Sequence, residues 1–487
     1  MKKAFSLLAA LSLMLTFTAC GGDSNANNGG ETEPAATKAA DTEKPDEGGE
    51  EGSEAAETTE AYRPADDPKN AGKTKINVYA FTDEVPKMVQ KFIDTHPDFA
   101  EKYVMNDTQI PTTDQLYQPA LDQALADGGV DMFAAEAAFV LKYTQGEGSK
   151  YACPYEEMIP DLDKKLKDAE IAQYTVDIGT NPDGKLVGLG YQATGGAFIY
   201  RRSIAKDVFG SDDPATVQKE IGPGWDKFFE AAAKLKDKGY GIVSGDGDIW
   251  HAIENSSEKG WVVDDKLHID PKREEFLDLS MKLMENGYHN DTQDWTDGWY
   301  ADMAGTGEKG ILGFFGPAWL INYTLIKNVG GSAPGEGTFG DWAVCEPPVG
   351  FFWGGTWVLG TKDSDKKDAV GQILEWITLD TSETGLQYMW ANGTFNGEGG
   401  TKDAVASNVV MKKSDGKVAI LGDQNMFDVF VPANTYANGK NLTPYDEGIN
   451  ALWRDQVRQY TAKNKSRDEA IADFKQAVED KFDIEAE

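Results

Sequence analysis

Trp250, Trp261, Trp295, Trp299, Trp319, Trp353, Trp357 and Trp390 all fall in the second half of the chain, several beside Gly, Pro or charged residues. A rigid ring packs on a flat ligand face at low entropy cost, while Asp, Glu, Asn and Gln satisfy the polar edges. An aromatic floor with a few convergent polar groups is the general recipe for a small-molecule site. Sugars, with flat C–H faces edged by hydroxyls, suit such a floor. Trp225 and Trp376 sit at helical spacing and read as core. The cluster carries the signal, since any single member could be a packing residue.

Other motifs fail on spacing or context. Gly72-Lys73-Thr74 imitates the end of a phosphate loop, but Asp67 stands where the first glycine is needed, and the stretch precedes a strand. Gly305, Gly307 and Gly310 match a dinucleotide fingerprint, as do Gly335, Gly337 and Gly340; neither set follows a strand and opens a helix, so both read as turns. His96, His251, His268 and His289 contain no i, i+4 pair and no Cys-x-x-Cys exists, so no metal site is expected. Asp246 and Asp248 lack the rest of a calcium loop. Nothing argues for an enzyme or a cofactor. With 82 acidic residues some carboxylate pair will have glycosidase spacing, so counting alone does not exclude that class.

Charge narrows the partners. The net charge is −35, against nucleic acid, whose affinity comes from clustered Lys and Arg, and against docking on anionic lipid. Residues 21–72 hold 14 acidic and 4 basic side chains and one aromatic, Tyr62. Such a segment cannot bury enough surface to offset its ordering entropy, and reads as an extended acidic linker. Before it, Lys2 and Lys3 lead into an apolar run, Phe5 to Phe17, short of the ~20 residues that span a bilayer. The following Thr18-Ala19-Cys20-Gly21 resembles the lipobox of bacterial lipoproteins, with Phe17 where Leu is usual. That resemblance implies a signal peptide over 1–20, lipidation of Cys20 and a protein held at the extracytoplasmic face of the membrane by its lipid alone. Cys153 and Cys345 could form one disulfide or remain buried thiols.

Residues 73–487 exceed the ~250–300 that one core supports, so two lobes are expected. Lys75–Ala80 alternates as a strand, and Val85, Met88, Val89, Phe92 and Ile93 form one helical face. A helix is expected over 114–126 and strands over 130–133, 185–190, 196–200, 310–315 and 357–361, with a strand from Trp342 broken by Pro347 and Pro348. Further helical faces run through Trp225–Ala233, Phe276–Met284 and Val370–Ile377, and two helices end the chain, the last opened by a Ser466/Glu469 capping box. Alternating strands and helices predict an α/β fold, each lobe a sheet flanked by helices.

In this order KINVYAFTDE, VDMFAAEAAF, MIPDLDKKL, DGKLVGLGYQATGGAFIYRRSIAKDVF, GWDKFFEAAAKLKDKG, GILGFFGPAWL and ILEWITLDTSETGLQYM resemble landmarks of one family. It is the extracellular solute-binding proteins of ABC importers, in the maltose-binding-protein-like group. The resemblance implies a type II, Venus-flytrap fold with crossover strands, lobe 1 over 73–190 and 350–440, and lobe 2 over 191–349 with C-terminal helices 445–487. It implies a monomer that binds a carbohydrate and hands it to permease transmembrane subunits. A sugar sensor or scavenging lipoprotein uncoupled from transport is the alternative. Carried over by position, the ligand residues would be Asp83, Glu84, Glu136, Tyr191, Gln192, Trp250, Trp319, Trp353, Trp357, Trp390 and Asn396. Ala318 shifts Trp319 by one from the family pattern.

Overall fold

The computed structural model describes residues 64–112, 116–397 and 399–486. The signal segment, Cys20 and the linker up to residue 63 lie outside the described residues. The linker ends earlier than expected: two short 3-10 turns, Pro64–Asp66 and Pro68–Asn70, precede the first strand. Proline presets their backbone, and the Asn70 amide donates to the Pro64 carbonyl at 2.9 Å.

The first sheet has the order β2-β1-β3-β10-β4. In β1 (Thr74–Ala80) Ile76, Val78 and Ala80 are buried and alternate with partly exposed residues. The amphipathic helix Glu84–Thr95 lays Val85, Met88, Val89, Phe92 and Ile93 on the sheet. β2 (Tyr103–Gln109) and β3 (Met132–Glu136) run parallel to β1 on either side. β10 (Thr356–Gly360) enters antiparallel between β3 and the short β4 (Leu189–Gly190), Thr356 opposite Glu136 and Trp357 opposite Gly190. β4 is shorter than the 185–190 expected because Thr180 and Leu186 meet only as a bridge before it.

The second sheet is antiparallel, β8-β5-β9, with β5 at Ala197–Arg201, β8 at Gly313–Gly316 and β9 at Trp342–Cys345. Its residues alternate between two cores. Phe198, Tyr200, Phe315, Ala343 and Cys345 face the helices Pro214–Ile221, Gly224–Asp237, Pro271–Asn286, Asp446–Thr461 and Arg467–Phe482. Ala197, Ile199, Phe314, Trp342 and Val344 face the other core, with Leu320, Ile321, Ile420, Phe427 and Phe430. The segment 419–433, expected with lobe 1, thus docks on the second sheet. Gln424 clamps Val344 there through both main-chain groups, at 2.9 Å each. Strands β6 (Val262–Val263) and β7 (Lys266–Leu267) make a hairpin turned by Asp264 and Asp265, both at positive φ.

The chain passes between the sheets three times, at 191–196, 346–355 and 434–445. Cys153 belongs to the first core and Cys345 to the second; both are buried and free, so the disulfide considered from sequence is not formed.

Candidate functional site

A cavity of about 400 Å³ lies between the lobes. Its walls are Glu136, Ala137, Ala138 and Leu141 from the end of β3 and just after it, Trp250, His251, Glu254, Asp294 and Trp295 from the second lobe, Phe352 to Gly354 from the second crossing, Thr443 from the third, and Asp446, Glu447, Asn450 and Arg454 from the helix that follows it.

Each group is held by its element. Glu136 is the last residue of β3, pinned opposite Thr356. Its carboxylate accepts from the Ala138 N–H at 2.8 Å, and burial pushes it up to about 7. His251 and Glu254 share one face of the helix Gly247–Asn255, Nδ1 standing 3.3 Å from the carboxylate. The Asn450 amide donates to the other Glu254 oxygen at 2.5 Å. Arg454 pairs with Asp294 at 2.5 Å, which holds that carboxyl below its ordinary range despite burial. Behind them Asp248 accepts from the Ser244 and Gly245 N–H groups and the Trp299 indole, fixing the loop before the helix; burial raises it to about 7. The SGDGD stretch is therefore a brace for this wall. Among the described residues no His, Cys, Asp or Glu converge as a metal requires.

The aromatic faces meet on one side. The Trp353 ring stacks on His251 at 4.6 Å and 24°. The Trp319 indole donates to the Trp353 carbonyl at 3.0 Å and meets its ring edge-on at 4.9 Å. Trp295 lies parallel to Trp319, 6.1 Å away, with its edge to Trp353 at 5.7 Å. It is 50 % exposed, and its backbone is left-handed at φ 67°, a conformation that bulky residues rarely take and that the fold must enforce.

The residues expected at the site divide. Glu136, Trp250 and Trp353 line the cavity, and Trp319 adjoins it. Trp250 is 1 % exposed and packs on Phe276 at 5.0 Å, so it backs the wall and offers no open face. Trp357 is a correction: it is buried in the first lobe, its indole donating to the Thr175 carbonyl at 2.9 Å. Asp83 is exposed and pairs with Lys87 at 2.5 Å, and Asn396 is exposed. Glu84, Tyr191, Gln192 and Trp390 form a second polar group. The Tyr191 hydroxyl donates to Glu84, whose pKa burial raises. Gln192 supports Asp403, which burial pushes up to about 7. Asn322 of the second lobe donates to the Lys402 carbonyl at 2.7 Å and to Asp403 at 3.3 Å. Among the described residues the Trp390 N–H and one Asp403 oxygen have no hydrogen-bond partner.

Sequence reasoning did not single out His251, Glu254, Asp294, Glu447, Arg454 or Asp403 for the site. Glu447 and Arg454 look like the solvated face of a helix and carried no signal. Trp295 was in the aromatic cluster, flanked by polar residues in a loop, and that context could have promoted it.

Two α/β lobes, each a sheet flanked by helices and joined by crossing segments around a cleft, define a two-lobed periplasmic-binding-protein fold. The family described as "Bacterial extracellular solute-binding protein" matches residues 87–415, and the chain belongs to it. No curated protein matches in sequence. Among solved structures, an extracellular solute-binding protein of family 1 superposes with a TM-score of 0.68 at 17% identity, covering 84% of this chain and 99% of that one. The galacto-N-biose-/lacto-N-biose I-binding protein of the ABC transporter from Bifidobacterium longum, in complex with lacto-N-biose, gives 0.60 at 15%, covering 85% and 99%. The ABC transporter associated binding protein from B. animalis subsp. lactis Bl-04, in complex with beta-1,6-galactobiose, gives 0.56 at 20%, covering 84% and 97%.

Proposed function

We propose that this chain is the carbohydrate-binding subunit of an ABC importer, lipid-anchored through Cys20 outside the cell, that captures its ligand between the lobes and delivers it to a membrane permease. The observation that carries the reading is the meeting of Trp295, Trp319 and Trp353 with Glu136 and Glu254 in the interlobe cavity. Aromatic faces take the C–H surface of a sugar ring and carboxylates accept from its hydroxyls. A ligand touching both lobes favours the closed arrangement by its differential affinity for it. The likeness to structures solved in complex with lacto-N-biose and with beta-1,6-galactobiose supports the reading. The cavity is near the lower end of the ~300–1,000 Å³ of ligand sites, which suits a ligand of few rings.

A thermal-shift and calorimetric screen over a sugar panel tests it. A sugar at 100 times its Kd adds about 2.7 kcal/mol of stability, and mass spectrometry should recover it intact. A panel without a single binder, or one cleaved by the protein, would reject the reading. Deleting the gene should abolish uptake of the labelled sugar; unchanged uptake would favour sensing or scavenging. Cys20→Ser should release the protein from the membrane and abolish labelling by fatty acid.

A further inference from the structure

The carboxylates of the interlobe cavity are not equally neutralised. Asp294 has Arg454, Glu254 has His251 and Asn450, and Asp446 accepts from Thr443 with the Arg273 guanidinium 3.9 Å away. Glu136 and Glu447 are left without a bonded partner cation, Glu447 feeling His251 and Arg454 only from a distance. Among the described residues no cation lies within ion-pair distance of either. Glu136 accepts only from main-chain N–H groups of its own turn. They come from opposite sides of the cleft, Glu136 from the end of β3 in the first lobe and Glu447 from the first turn of the helix Asp446–Thr461 in the second. Both nevertheless line the same cavity, and the Glu447 charge adds to the burial that raises Glu136.

Closing such a cleft on a neutral ligand brings two like charges together while removing water, which is costly at low dielectric. A ligand with a cation between them turns that repulsion into two charge-assisted hydrogen bonds. The neighbouring surface suits the same ligand. Trp295 is half exposed and Trp353 partly so, edge-to-face at 5.7 Å, and indole faces attract an ammonium group.

We propose that the cleft takes a saccharide bearing a free basic amino group, its ammonium held between Glu136 and Glu447 beside Trp295 and Trp353, and that these two carboxylates set specificity against neutral and N-acylated sugars. The proposal rests on the carbohydrate reading above and narrows it.

Titration calorimetry on the full-length protein decides it, with glucosamine and galactosamine disaccharides, their N-acetylated forms, the parent neutral disaccharides, and spermidine as a cation without a sugar. The expected result is that one amino disaccharide binds at least tenfold tighter than its N-acetylated and neutral counterparts. Glu136→Gln and Glu447→Gln should each cut that ratio at least fivefold, by weakening the amino sugar far more than its neutral counterpart, a split that a misfolded variant would not give. A neutral or N-acetylated sugar that binds as tightly as the amine overturns the proposal and leaves the carbohydrate reading standing. Spermidine binding with no sugar binding overturns both. Silence in every arm up to 1 mM overturns the amino-sugar proposal, and the wider sugar panel above then judges the function separately.

Discussion

Trp295 keeps half its surface in water on a left-handed backbone, while Trp357 is sealed in the first lobe with its N–H on Thr175. The two rings should respond oppositely to truncation. Trp295→Ala should weaken ligand binding by ~1–3 kcal/mol, the value of covering a large apolar side chain, and leave the ligand-free melting temperature nearly unchanged. Trp357→Ala should cost ~3–5 kcal/mol of stability as a core cavity, with affinity unchanged once the protein is folded. Calorimetry and urea melts on both variants check this; the reverse pattern would exchange their roles. The sequence could not separate these rings, because Trp353 and Trp357 are four residues apart in one Gly-rich stretch. Gly354 and Gly355, at φ 72° and 115°, turn the chain between them, so one ring stays at the cleft and the other enters the core. Exposure here is decided by tertiary neighbours such as Thr175, which no local pattern reveals.

The secondary-structure elements were more legible than the site. KINVYA alternates because β1 is half-covered on one face, and the helix after it carries its burial at 3.6-residue spacing. The Ser466/Glu469 box is formed in both directions. Ser466→Ala should therefore cost ~1 kcal/mol in urea denaturation without affecting binding, since the last helix lies outside the cavity. β2 carries no strand signal in the sequence: at the sheet edge its residues Asn106, Asp107 and Gln109 stay open to water and lack strand composition. The cysteines also belong to this scale, one in each core. Alkylation in denaturant without reductant should modify both Cys153 and Cys345; recovery of a linked peptide pair would contradict their separation.

Across the whole molecule, Glu136, Asp248, Asp403 and Asp446 are each raised by burial to about 7. Between the ordinary carboxylate range and about 7 the native state binds more protons than the unfolded chain, so these groups make stability fall as pH rises through that window. Buried His289, held below its ordinary range, acts in the opposite sense, one group against four. Asp294 and Glu254, held low, lose their contribution only on acidification below that window. The ligand-free protein should therefore have a higher urea midpoint at pH 5 than at pH 8, and Glu136→Gln should reduce the difference. A midpoint that rises from pH 5 to pH 8 would show that the native carboxylates ionise without penalty. The threading of the chain has a further consequence, for the order in which the protein can come into being. β10 sits between β3 and β4, so the first sheet stays split until residue 360 has been made. The second core needs Trp453 and Phe474 against Trp261, with Asn450 accepting from its indole at 2.7 Å. Neither lobe can close from its N-terminal part alone: the first core is complete only after Phe430, and the second only with the last helix. Such a chain is slow to commit, because its decisive contacts are distant in sequence. It is correspondingly easy to thread through a narrow pore before it folds.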